Sequence, residues 1–72
     1  MTGYSVVIEG DPETGYSAWS PDLAGCVAAA ADYTECVDLM AEALLAHVQG
    51  MREDGQEVPE PTAVGAVVLP AA

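Results

Sequence analysis

The chain is 72 residues long, and twelve Asp and Glu against a single Lys or Arg give it a formal net charge of -11, with room for one domain. So acidic a balance excludes binding to nucleic-acid phosphates, which takes several Lys or Arg, and it argues against anionic membranes for the same reason. A chain this short buries only about 60% of the surface its unfolded form exposes. Cys26 and Cys36 are too few for a disulfide framework, so the expected supplement is oligomerisation, as a dimer or tetramer.

No basic N-terminal segment precedes an apolar run of signal-peptide length, and no stretch nears the ~20 apolar residues of a membrane span. A cytoplasmic location is expected. The acidic surface would steer association with a basic protein; it would equally serve solubility alone.

In chain order, residues 4–9 (Tyr-Ser-Val-Val-Ile-Glu) read as a first strand with Tyr4, Val6 and Ile8 on one face. The run from Gly10 to Gly15 breaks it into a hairpin loop, where Pro12 presets φ and Asp11 can bond back to the backbone. Residues 16–20 form the second strand, placing Tyr16 and Ala18 on one face and Ser17 and Trp19 on the other. After a turn from Pro21 to Gly25, residues 26–30 make a third strand; its alanines are poor strand formers, and it rests on its position.

Residues 34–53 carry the clearest periodicity in the chain. At about 100° per residue, Val37, Met40, Ala41, Leu44, Val48 and Met51 share one stripe with Leu45 on its margin, while Glu35, Asp38, Glu42 and Gln49 lie opposite. Thr34 is the expected N-cap and Gly55 the residue just past the end. Residues 54–62, rich in Pro, Gly and acid, can only connect. Residues 63–69 (Ala-Val-Gly-Ala-Val-Val-Leu) are apolar and β-branched, hence a fourth strand, and 70–72 close the sequence.

The order β-β-β-α-β predicts an α+β fold: a two-layer sandwich with one helix laid by a right-handed crossover on a mixed four-stranded sheet, a single domain over residues 1–72. The other sheet face, with Val7, Trp19 and Val68 as members, would then be open to another subunit.

The run Gly15-Tyr-Ser-Ala-Trp-Ser-Pro-Asp-Leu-Ala-Gly-Cys26 resembles the HicB family of antitoxins, whose members carry a Gly-Tyr strand leading into Pro-Asp-Leu-Pro-Gly-Cys. The likeness continues through Ala43-Leu44, His47, Gly50, Met51-Arg-Glu-Asp-Gly55 and Val58-Pro-Glu-Pro61, and so covers roughly the whole chain, with Ala24 in place of the usual Pro. The resemblance implies a partial RNase H-like fold that binds and neutralises a HicA-like toxin, a small basic RNA-cleaving protein. Many such antitoxins carry a C-terminal DNA-binding domain, and the sequence ending at Ala72 is expected to have none. The expected contact residues for the toxin are the acids of the helix and of the loop after it, Glu35, Asp38, Glu42, Glu53, Asp54 and Glu57, together with Leu39. Leu39 lies roughly opposite the core stripe and could form an apolar spot with Cys36 and Ala43 inside the acidic face.

An RNase H-like topology invites a nuclease reading, which needs carboxylates that hold two metal ions close together. Glu9 and Glu42 are the candidates, but the fourth strand supplies no acid and Glu42 points away from the sheet, so no catalysis, metal or cofactor is expected. Cys26, Cys36 and His47 match no common zinc spacing. Cys36 and His47 stand about 16 Å apart along the helix, too far for one ion or for a nucleophilic pair. The alternative to an antitoxin is a stand-alone, self-associating structural or regulatory module without a toxin partner.

Overall fold

The computed structural model describes residues 3–71; Met1, Thr2 and Ala72, counted in the expected domain, lie outside the described residues. Three strands, β1 (Val7–Asp11), β2 (Gly15–Ser20) and β3 (Leu23–Ala30), form an antiparallel meander in the order β1-β2-β3, and one helix, α1 (Tyr33–Glu53), packs against it. The α+β class and three antiparallel strands are as expected, but the bounds differ: β1 begins at Val7 rather than Tyr4 and runs through Gly10 and Asp11, expected in the loop, β2 begins one residue early and β3 three.

The β1–β2 hairpin forms because its loop residues satisfy the turn. Asp11 Oδ1 accepts hydrogen bonds from the Glu13 amide (2.9 Å), the Thr14 amide (2.8 Å) and the Thr14 hydroxyl (3.0 Å). These bonds hold the Asp11 carboxyl below its ordinary range, the Thr14 amide contributing most. Gly10 sits at φ +126°, where an added Cβ would meet the Gly15 carbonyl oxygen at 2.0 Å. Only glycine fits there.

The ladder of β2 on β3 runs from Tyr16↔Ala30 to Trp19↔Val27 and then jumps to Ser20↔Leu23. Ala24, Gly25 and Cys26 bulge between the last two pairs, which is why β3 reaches back to Leu23 although the regular pairing begins near the expected start at Cys26. Alternation puts Ile8, Ala18 and Ala28 on the helix side and Val7, Trp19 and Val27 in a row on the outer face.

Helix α1 starts one residue earlier than its periodicity suggests. Asp32, in an extended conformation, is the N-cap in place of Thr34, its carboxylate accepting from the Glu35 amide at 3.3 Å. The end falls at Glu53 as expected, with Gly55 at φ +72° and the Gln56 amide reaching back to the Met51 carbonyl at 2.8 Å, a Schellman closure.

The core consists of Ala18, Leu23, Cys26, Cys36 and Met40, surrounded by half-buried Tyr4, Val6, Ile8, Tyr16, Leu44, Val48 and Met51. Cys36 is fully buried and faces the sheet, so it cannot join Leu39 in a surface spot; the face toward the sheet is rotated by about one residue from the expected stripe. Tyr16 and Tyr33 meet edge to face, centroids 5.7 Å apart, where the sheet meets the first turn.

The expected fourth strand at 63–69 is not formed, and with it go the crossover and the mixed sheet. These residues make no ladder, and Val64, Val67, Val68 and Leu69 are each at least 74% exposed. Apolar, β-branched composition makes a strand only where the segment runs along an edge, and here the segment leaves the body beyond Ala63 instead of following β1. The radius of gyration, 13.4 Å against about 11 Å for a compact chain of this length, and the 44 × 26 × 19 Å extents express that projection.

Candidate protein interface

Helical geometry sorts the expected contact residues into two groups. Glu35, Asp38 and Glu42, three and four positions apart, line the exposed outer face of α1, and Glu53 continues that line at the far end. At 1.5 Å per residue the row extends over about 27 Å. Leu39 stands beside it, partly exposed, without the Cys36 neighbour the sequence suggested and with Ala43 drawn toward the core. Asp38 and Glu42 are four apart, a spacing at which like charges repel mildly in the free protein. A cationic partner relieves that repulsion.

Asp54 and Glu57 belong to a different place. They line an open cleft of about 640 Å³ with Asp22, His47, Met51, Gln56 and Pro59, formed where the segment after α1 turns back past the β2–β3 turn. The sequence reading treats the helix acids and the loop acids as one surface; the fold separates them, the row lying on the outer helix face and the cleft beside the last turns.

The cleft exists because the returning segment is tied down. Asp22 accepts from the Thr62 hydroxyl (2.6 Å) and amide (3.0 Å) and from the Ala63 amide (3.0 Å). The Thr62 hydroxyl and then the Ala63 amide hold the Asp22 carboxyl below its ordinary range, against an opposing effect of burial. Tyr4 donates to the Pro59 carbonyl at 2.5 Å and Ser5 to the Ala63 carbonyl at 3.1 Å. The sequence reading gave Asp22 no role; its signal was an Asp directly after Pro21, a residue type that bonds backbone amides from turns.

A third surface escaped the sequence reading altogether. On the β1 side of α1, an apolar groove lined by Tyr4, Val6, Ile8, Val37, Met40, Ala41 and Leu44 encloses about 250 Å³. It runs on, past the shared Tyr4 and Leu44, into a wider one with Leu45, Val48 and Val58. Val37, assigned to the stripe, and Leu45, on its margin, are exposed here. The helix carries a broader apolar face than three strands cover.

The nuclease geometry is absent among the described residues. Glu9 lies on the outer sheet face, accepting from Trp19 Nε1 at 3.4 Å, and Glu42 lies on the outer helix face, with the core between them. No group of three His, Cys, Asp or Glu among the described residues could hold a metal ion. Cys26 and Cys36 are free, buried thiols, and burial pushes the Cys26 thiol up. No helix among the described residues is long and apolar enough to cross a membrane.

These features define a small α+β domain that offers carboxylates and apolar side chains on open surfaces, the makings of a protein-binding module. The family profile described as HicB_like antitoxin of bacterial toxin-antitoxin system matches residues 4–70, and the chain belongs to that family. No curated protein matches it. Membership makes a toxin the general partner of such a domain.

Proposed function

We propose that this protein is the antitoxin of a type II pair and neutralises a small, basic, RNA-cleaving toxin of the HicA kind, acting in the cytoplasm where its RNA targets lie. The observation that carries this reading is the row Glu35–Asp38–Glu42–Glu53 along one exposed helix face, in a chain with a single Arg. A toxin that grips RNA phosphates presents Lys and Arg at phosphate spacing, and a rigid row of carboxylates competes for them. Leu39 supplies an apolar contact within the row, and Asp54 and Glu57 extend the acidic surface toward the cleft. Occupation of the toxin's RNA surface, with no chemistry by the antitoxin, is the mechanism. In this reading the chain is a partial RNase H-like domain used as a scaffold.

The test is an RNA-cleavage assay with a purified small, basic toxin of the HicA kind. Stoichiometric inhibition that weakens with added salt and with Glu35→Gln, Asp38→Asn and Glu42→Gln combined supports the reading. Full inhibition by that triple variant would sink the role of the row, and no inhibition by the unaltered protein would sink the antitoxin reading.

A second reading, self-association of the chain into a dimer or tetramer, is supported by the open apolar groove and by the row Val7–Trp19–Val27 on the outer sheet face. It is compatible with the first and, alone, describes a structural or regulatory module without a toxin.

A further inference from the structure

Two surfaces of this chain remain unfilled, and each has the shape of what the other lacks. The groove between β1 and α1 is lined by Val6, Ile8, Val37, Ala41 and Leu44, and β1, at the edge of the sheet, leaves its outer backbone amides and carbonyls without a strand partner. The segment from Val64 to Leu69 is extended from the body, apolar on both alternating faces, and without a ladder of its own. None of its residues lines the groove.

We infer that this protein forms a two-fold dimer by strand exchange, residues 63–69 of each copy pairing with the β1 edge of the other and filling its groove. The inference rests on the self-association reading above and gives it a geometry. Four observations carry it.

Length agrees: seven residues at about 3.3 Å each span about 23 Å, matching β1 together with its lead-in from Ser5. Pattern agrees as well, since a strand between the groove on one side and the outer-face row at Val7 and Trp19 on the other is apolar on both faces, as Val64, Val67, Val68 and Leu69 make this one.

The hinge is built to extend. Pro59 and Pro61 fix their own φ and bias Val58 and Glu60 away from helical backbone, and Asp22, Ser5 and Tyr4 clamp Pro59 to Ala63 onto the body, so the exchanged segment starts from a fixed point. Charge agrees too. Two copies at -11 repel, but residues 61–71 carry no charged side chain, and neither do the groove residues named above, so contact here brings no carboxylates together.

With donor segment and acceptor edge on the same chain, two copies can satisfy each other, and that two-fold reciprocal arrangement closes as a dimer, whereas head-to-tail exchange would keep growing and show as masses above twice that of one chain. Two such strands with their grooves bury on the order of 1,500 Å² in total, the size of a stable interface.

Sedimentation equilibrium and isotope-filtered NOE spectra on the full chain test this together. The expected mass is twice the 7.4 kDa of one chain, falling to once that value in Val67→Asp combined with Val68→Asp, whose parent side chains are exposed in the single chain and not needed for its core. In labelled and unlabelled chains equilibrated together, methyl contacts are expected from Val67, Val68 or Leu69 of one copy to Val6, Ile8 or Leu44 of the other. Added salt should tighten the dimer by screening its repulsion while weakening toxin binding. A dimer whose mass the double variant leaves unchanged overturns strand exchange but not self-association. Tail-to-groove contacts in a monomer overturn it in favour of closure within one chain, and a monomer with a free tail overturns the self-association reading as well. Toxin inhibition by the double variant reports on the antitoxin reading separately.

Discussion

Asp22 and Thr62, forty residues apart in sequence, are joined by two hydrogen bonds, from the Thr62 hydroxyl at 2.6 Å and its amide at 3.0 Å, with the Ala63 amide adding a third. One carboxylate in the β2–β3 turn thereby fixes where the chain after the helix returns to the sheet.

That anchor is pH-dependent. The bonds from Thr62 and Ala63 lower the Asp22 carboxyl below its ordinary value, so the stability it contributes is complete above the unfolded value near 3.9 and is lost as pH falls through the lower folded value. Protection of the Thr62 and Ala63 amides, taken relative to the intrinsic exchange rate at each pH, should fall below about pH 4 while that of β2 stays high. Asp22→Ala should show the same pattern at neutral pH.

Met40 is among the largest fully buried side chains, wedged with Cys36 against Leu23 and Ala18. Met40→Ala should cost about 2–5 kcal/mol, a large share of the stability of so small a domain. The check is the urea midpoint by circular dichroism, and a change below 1 kcal/mol would contradict the packing described.

Asp32, not Thr34, caps the helix. Asp32→Ala should destabilise by about 1 kcal/mol and Thr34→Ala by clearly less, a contrast that thermal unfolding of the two variants reads directly.

The acidic row should act mainly on encounter. Removing the charges of Glu35, Asp38 and Glu42 should slow toxin association by about tenfold at low salt with little change in the helix signal, and stopped-flow mixing at two ionic strengths measures it. Leu39→Glu, which adds charge to the row but removes its apolar contact, should speed dissociation; an unchanged dissociation rate would remove Leu39 from the interface.

Both thiols lie in the core and burial raises that of Cys26, so a thiol reagent at neutral pH should label the folded chain only as fast as it opens. Labelling in urea should count two.

Where turns and alternation are local, the sequence was a sufficient guide; the N-cap, Asp32 rather than Thr34, is the local exception. The Asp11–Thr14 loop, the facing of Tyr16 and Trp19, and Gly55 past the helix end all follow from residues within a few positions of one another. The other misses share a cause of the opposite kind. Cys36 was joined to Leu39 in a surface spot because a wheel cannot tell which neighbour a helix will meet, and the stripe was drawn wide enough for a four-stranded sheet that one chain does not build. The bulge at Ala24–Cys26 and the Asp22–Thr62 anchor depend on partners distant in sequence. Of the proposed contact residues, their exposure was legible; their division between an outer helix face and a cleft beside Asp22 and His47 was not, because it depends on how residues 54–62 fold back.

Trp19 is the chain's single tryptophan, and it stands on the outer sheet face, 3.4 Å from a carboxylate oxygen of Glu9, rather than in the core. Its emission is therefore a lamp mounted on one known wall. A molecule settling over Val7 and Val27 will shift its colour, while a ligand on the far side of the helix will leave it as it was, so one cuvette can tell from which side the domain is being approached.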